Sequence, residues 1–165
     1  MTASKPAPAS PGLRESVVVD GELRLLLDGR LAAIEDGRLA ILRYLAPRAL
    51  DPLVINRLEV VFEEIVSNIV RHGLTSGSGE TIAVRVALRP DAVVLTVEDD
   101  GIAFNPLEAP LPAPFTSLET APLGGLGIAL MRKLAADVCY ETPTIEPGAA
   151  FKPTNRLTVS IATRA

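Results

Sequence analysis

A carboxylate and an amide four residues apart, Glu64 and Asn68, interrupt an otherwise apolar segment running from Val61 to Gly73, Val-Phe-Glu-Glu-Ile-Val-Ser-Asn-Ile-Val-Arg-His-Gly. With Leu58, Val61, Phe62, Ile65 and Ile69 forming one helical stripe, ~100° per residue places Glu64 and Asn68 together on its shoulder and Glu63 almost opposite, in water. A carboxylate at the edge of a cleft can orient and deprotonate an attacking oxygen, and a neutral amide oxygen is a suitable ligand for a hard cation. Arg71 falls on the same shoulder one turn later, and His72 nearer the stripe. A plain solvated carboxylate flanking a core helix describes Glu63 better than Glu64.

Two further stretches carry candidate chemistry. Val93, Leu95 and Val97 alternate along a strand, and Asp99 shares their parity, so it faces the covered side of the sheet while Glu98 and Asp100 face away. A carboxylate there costs free energy unless something donates to it. Beside it, Gly101 would let a ring approach the backbone, although an isolated Asp-x-Gly serves equally well as a turn. The cluster Gly124-Gly125-Leu126-Gly127-Ile128 opens a helix, where free backbone N–H groups and the helix dipole favour phosphate oxygens. Glycines before helices are also commonly plain turns.

In the order Glu-x-x-x-Asn, then Asp-x-Gly-x-Ala, then Gly-x-Gly before a helix, these three boxes resemble the nucleotide site of the GHKL ATPases. Glu-Glu-Ile-Val-Ser-Asn-Ile-Val-Arg-His-Gly, Asp-Asp-Gly-Ile-Ala-Phe-Asn-Pro and Gly-Gly-Leu-Gly-Ile are most similar to the RsbW and SpoIIAB type of anti-sigma factor serine/threonine kinase. The similarity covers roughly Leu23 to Ile161. It implies a two-layer α/β sandwich, the Bergerat fold, with a mostly antiparallel mixed sheet covered on one face by helices. It implies ATP and a magnesium ion (Mg2+) as cofactors. Glu64 takes the catalytic role, Asn68 ligates the metal, and Asp99 with Gly101 and Ala103 receives the adenine. Gly125, Leu126, Gly127 and Ile128 hold phosphate, with Arg71 a candidate phosphate contact or a solvated ion-pair residue. His72 is expected to touch the nucleotide as a helix-end histidine rather than act as a base. Ala103 stands where the family often has a second glycine, which narrows the pocket slightly. The residues 105–123 match the ATP lid.

Around these boxes, the elements follow from simple patterns. Val17 to Val19, then Asp20-Gly21, then Leu23, Leu25 and Leu27 read as a strand or a hairpin with a two-residue turn. Leu31, Ile34, Ile41, Leu42 and Leu45 make a helical stripe that stops before Pro47, with Gly37 a soft spot inside it. Asp51-Pro52 caps and starts the Glu64 helix, and Gly73 ends it. Ile82, Val84, Val86 and Leu88 alternate, as do the residues from Val93 and, finally, Leu157, Val159 and Ile161, giving three more strands. Pro106, Pro110, Pro112, Pro114 and Pro122 exclude a regular helix between 105 and 122 and disfavour a strand there. Ile128, Met131 and Leu134 are the inward face of the last helix, and Arg132 and Lys133 its solvated face.

At 165 residues the chain holds one domain, expected over 14–165 after a Pro- and Ala-rich tail over 1–13. A net charge of −4 supplies no attraction for nucleic acid, and no apolar run approaches the ~20 residues of a membrane span. Cys139, the only cysteine, excludes an internal disulfide and suits a reducing cytoplasm; it is expected to be a small buried apolar residue. The resemblance implies a kinase that phosphorylates a STAS-domain anti-anti-sigma factor, sequesters a sigma factor and forms a homodimer, possible through the N-terminal strand. The alternative is a nucleotide-gated partner switch of the same fold without productive phosphotransfer. A sensor histidine kinase does not fit, because His72 is the only histidine and lies within the nucleotide helix, and no dimerisation helix is expected before it. Gyrase-like and MutL-like ATPases would need further domains.

Overall fold

Alternating apolar residues build six strands, and the helical stripes build the layer that covers them. The computed structural model describes residues 12–75, 80–110 and 126–164. In chain order it contains β1 (Leu13–Val19), β2 (Glu22–Asp28), α1 (Ala32–Leu45), α2 (Pro52–Asn68), a π-helical turn (Ile69–Gly73), β3 (Thr81–Leu88), β4 (Ala92–Asp99), α3 (Leu126–Leu134), β5 (Asp137–Glu141) and β6 (Asn155–Ala162). The strands form one sheet in the order β1-β2-β3-β4-β6-β5. Each described pairing is antiparallel, without the parallel pair that a mixed sheet would contain.

Register decides which face is which. Leu25, Val84, Val97 and Leu157 lie across from one another, as do Leu23, Val86, Leu95 and Val159, and all are buried in a single core with α1, α2 and α3. The opposite face carries Arg24, Arg85, Glu98 and Arg156, and Arg156 pairs with Glu98 at 2.5 Å. The sheet is therefore covered on one side only, the arrangement in which polar and apolar residues alternate cleanly.

The first two strands are a hairpin, turned by Asp20 and Gly21 at φ 51° and 81°. Two successive positive φ values match the right-handed twist of the flanking strands. Tyr44 of α1 donates to the Gly21 carbonyl at 2.6 Å and ties this turn to the helical layer. Gly37 is not a soft spot but a close approach. A Cβ there would stand 2.7 Å from Cζ of Phe62 and 3.2 Å from Cδ1 of Leu27, so its bare backbone lets α1 rest on both α2 and β2.

At the start of α2, Asp51 accepts a hydrogen bond from Leu53 N at 2.8 Å and Pro52 occupies the first turn. The far end differs from a plain glycine-terminated helix. After Asn68 the turn widens, and Leu74 N donates to Ile69 O at 3.0 Å, five residues back.

β5 is an element that the sequence patterns leave out. Its five residues form an edge strand beside β6, and Cys139 on it is exposed, not buried, because it faces the uncovered side opposite Thr158. Leu13, placed in the tail by composition, is the first residue of β1. Among the described residues, no helix is long and apolar enough to cross a membrane.

Candidate functional site

Glu64 and Asn68 occupy the half-buried shoulder of α2, beside the fully buried Val61, Phe62 and Ile65. The N-terminus of α3 lies against that shoulder. A Cβ on Gly127 would overlap the Glu64 carboxylate, 3.0 Å from its Cδ, and would stand 3.6 Å from Nδ2 of Asn68. Only glycine lets the helix start come this close to the carboxylate. Ile128 continues the wall of the cavity, Leu126 is exposed and is not among the residues lining it, and Gly125 lies outside the described residues.

The other end is built on β4. Asp99 is 4% exposed. Its Oδ1 accepts from Gly101 N at 2.9 Å and from Asn155 Nδ2 at 3.0 Å. Burial pushes the carboxyl of Asp99 above the ordinary aspartate value, the hydrogen bonds from Asn155 and Gly101 oppose that rise, and the charge of Asp100 adds to it. Among the described residues no donor reaches Oδ2 and no buried polar side-chain atom is left without a partner, so Oδ2 is accessible, on a residue that lines the cavity.

The π turn joins the two ends. Ile102 N donates to the Gly73 carbonyl at 2.9 Å, and a side chain at Gly101 would run into that same carbonyl. Gly101 is needed for this close approach of two backbones, while its φ is ordinary. The wider turn also explains the fate of the two residues before Gly73. Each residue advances by less than the ~100° of an α-helix, so His72 stays beside Asn68 on the cavity wall and Arg71 is carried out into solvent. Ala103 is exposed and does not line the cavity.

Between the ends lies a cavity of about 420 Å³. Ile65, Ile69, Val97, Ile128, Met131 and Leu157 make its walls apolar; Glu64 and Asn68 line it beside Gly127, Asp99 and Asn155 line it together on neighbouring strands, and His72 lines it next to Gly73, whose carbonyl meets the Gly101 turn. Such a slot suits a flat heteroaromatic ring whose amino group meets a carboxylate, followed by an anionic group at a helix N-terminus. Among the described residues, no group of three or more acidic, histidine or cysteine side chains could hold a metal ion by itself. A hard cation there would need oxygens from a ligand and water, with Asn68 as one protein contribution.

The sequence patterns miss Asn155, Tyr140, Phe104 and Pro106, all of which line the cavity. For Asn155 a signal was available: it shares parity with Leu157 and Val159, as Asp99 does with Val97, and sits directly across from Asp99 in the sheet. Residues 105–110 of the expected lid are described, and 111–123 lie outside the described residues.

A family model described as a histidine kinase-like ATPase domain matches residues 27–149. Anti-sigma F factor from Bacillus velezensis is 28% identical over 115 residues, covering 68% of this chain and 78% of that protein. Anti-sigma F factor from Bacillus subtilis is 26% identical over the same length, with the same coverage. Serine/threonine-protein kinase BtrW from Bordetella bronchiseptica is 32% identical over 84 residues, covering 51% of this chain and 59% of that protein.

Proposed function

Because the chain belongs to the histidine kinase-like ATPase domain family, we propose that it is an ATP-dependent serine/threonine protein kinase of the anti-sigma type. It phosphorylates a STAS-domain anti-anti-sigma factor and sequesters a sigma factor when that antagonist is not available. The names of its relatives, anti-sigma F factor and serine/threonine-protein kinase, support both halves. The observation that carries the enzymatic half is the position of Glu64, whose carboxylate rests against Gly127 at the start of α3 and lines the same cavity as Asp99.

The residues divide the work by position. Asp99 Oδ2 accepts from the amino group of the base, and the apolar walls exclude water from the ring's faces. Backbone N–H groups at the start of α3, at Gly127 and Ile128, hold phosphate oxygens, with His72 alongside. Arg71, being in solvent, is available to an approaching partner or phosphate. A bound Mg2+ would neutralise phosphate charge, with the Asn68 amide oxygen as its protein ligand. Glu64 orients the serine or threonine hydroxyl and takes its proton as the new oxygen–phosphorus bond forms and the bond from the γ-phosphorus to the bridging oxygen breaks, leaving ADP.

In this reading the protein works in the cytoplasm as a homodimer, for which the β1 edge, with Val17 and Val18 exposed, is the available surface. Transfer of labelled phosphate from ATP to a STAS-domain partner, lost in Glu64→Ala while nucleotide binding persists, tests the kinase claim. A second reading is favoured by the relatives whose names mention no kinase, anti-sigma F factor. In it the chain is a nucleotide-gated partner switch, and Glu64→Ala then leaves ATP-dependent partner affinity unchanged.

A further inference from the structure

Asn155 is the most fully engaged polar side chain at the cavity. Its Nδ2 donates to Asp99 Oδ1 at 3.0 Å and to the Ile102 carbonyl at 2.8 Å. Its Oδ1 accepts from Phe104 N at 3.0 Å and from the Tyr140 hydroxyl at 2.7 Å. Both hydrogens and both lone pairs of the amide are therefore used. Two of the four partners are backbone groups of fixed polarity: the Ile102 carbonyl can only accept and the Phe104 N–H can only donate. A flipped amide would set carbonyl against carbonyl and donor against donor, so the backbone dictates the orientation.

That orientation decides the chemistry of Asp99. Oδ1 faces two donors, Asn155 Nδ2 and Gly101 N, and cannot carry a proton without opposing them. Oδ2 is thus the only atom of Asp99 free to read a ligand, and in the ionised carboxylate it reads as a pure acceptor. Rotation of the carboxylate, which would let other bases fit, is resisted on the same face of the sheet, two strands away, by Tyr140 acting through Asn155. Asp99 lies on β4, Asn155 begins β6 and Tyr140 lies on β5, so three neighbouring strands hold one oxygen in place.

We propose that Asn155, locked by Tyr140, is a positioning residue that makes the Asp99 site selective for 6-amino over 6-oxo purines. The proposal deepens the adenine-nucleotide reading above and rests on it. A 6-oxo group would set an acceptor against Oδ2, and a site built around a buried hydrogen bond rejects a mismatched analogue strongly. The full chain is titrated calorimetrically with Mg-ADP and Mg-IDP, which differ at this position and at the neighbouring ring proton. Wild type is expected to favour ADP by about 100-fold or more. Asn155→Ala is expected to bring that ratio below about tenfold, and Tyr140→Phe, which removes one of the two bonds to Asn155 Oδ1, to lower it roughly three- to tenfold. Equal weakening of both ligands, with the ratio kept, would reduce Asn155 to a structural role and overturn the proposal. If Asn155→Ala does not fold, an unchanged ratio in Tyr140→Phe overturns it instead. Failure of wild type to bind ADP at all would remove the nucleotide reading itself, an outcome distinct from ADP binding with an Asn155-independent preference.

Discussion

Replacing Asp99 with Asn separates the cost of burying a charge from its use. The substitution is nearly isosteric, and the new side chain can keep its Oδ1 as acceptor for Gly101 N and Asn155 Nδ2, the two bonds that now orient Asp99. What changes is the atom open to the cavity: an acceptor becomes an NH2 donor, set against the amino group of the base. The loss is one hydrogen bond to a charged acceptor, worth about 1.5–3 kcal/mol, plus about 1–3 kcal/mol for leaving a donor unpaired. Together these give roughly 2.5–6 kcal/mol, or on the order of 10² to 10⁴ in Kd for Mg-ADP. The unliganded protein should behave in the opposite sense. Burial raises the Asp99 carboxyl in the folded state above its unfolded value, so between those two values the fold binds the extra proton. Its contribution to stability is therefore lost as pH rises through that window and stays lost above it. Asp99→Asn removes this penalty at neutral pH. Calorimetric titration paired with thermal melting at neutral and mildly acid pH should show nucleotide affinity collapsing while the unliganded melting temperature holds or rises. A melting temperature that falls by several degrees, or ADP affinity within a few-fold of wild type, would refute the assignment of Asp99 as a buried base reader.

Gly127→Ala places a methyl group into the Glu64 carboxylate and should cut phosphotransfer at least tenfold in single-turnover measurements, with ADP affinity changing much less because the backbone N–H groups remain. Gly37→Ala forces Phe62 or Leu27 to shift, an overpacking cost of about 1–3 kcal/mol read in urea denaturation, with nucleotide affinity unaffected. Asp51→Ala removes the cap on Leu53 N and should cost about 0.5–2 kcal/mol in the same denaturation assay, again without altering the site.

Parity and helical spacing made much of the candidate site legible, since each needs only a short stretch of chain. Counting from Val97 puts Asp99 on the covered face, where it is buried, and counting from Ile65 puts Glu64 and Asn68 on one shoulder, where both line the cavity. Counting errs where the period itself changes. Alpha-helical spacing puts Arg71 beside Asn68, and the π turn from Ile69 to Gly73 moves it into solvent. Short edge elements are similarly opaque: β5 has too few residues to show alternation, so Cys139 looked like core and is exposed.

The deeper limit is that the cavity is closed by contacts between segments, each of which carries only half of the reason for its own residues. Gly101 looks like a turn glycine until the Gly73 carbonyl is found where its side chain would be. Gly127 looks like a helix-start glycine until Glu64 is found there. Asn155 looks like the polar end of a strand until its four partners are counted. In every case the residue type is explained by a partner far along the chain, and that partner is a residue that lines the cavity. A substitution at these three positions should therefore act on the ligand through its neighbour: Gly101 through the Gly73 carbonyl, Gly127 through Glu64, and Asn155 through Asp99. Pairing each change with one in its partner gives double-mutant cycles in which the two effects fail to add, whereas changes at Gly37 and Asp51, which touch no cavity residue, should add to all of them.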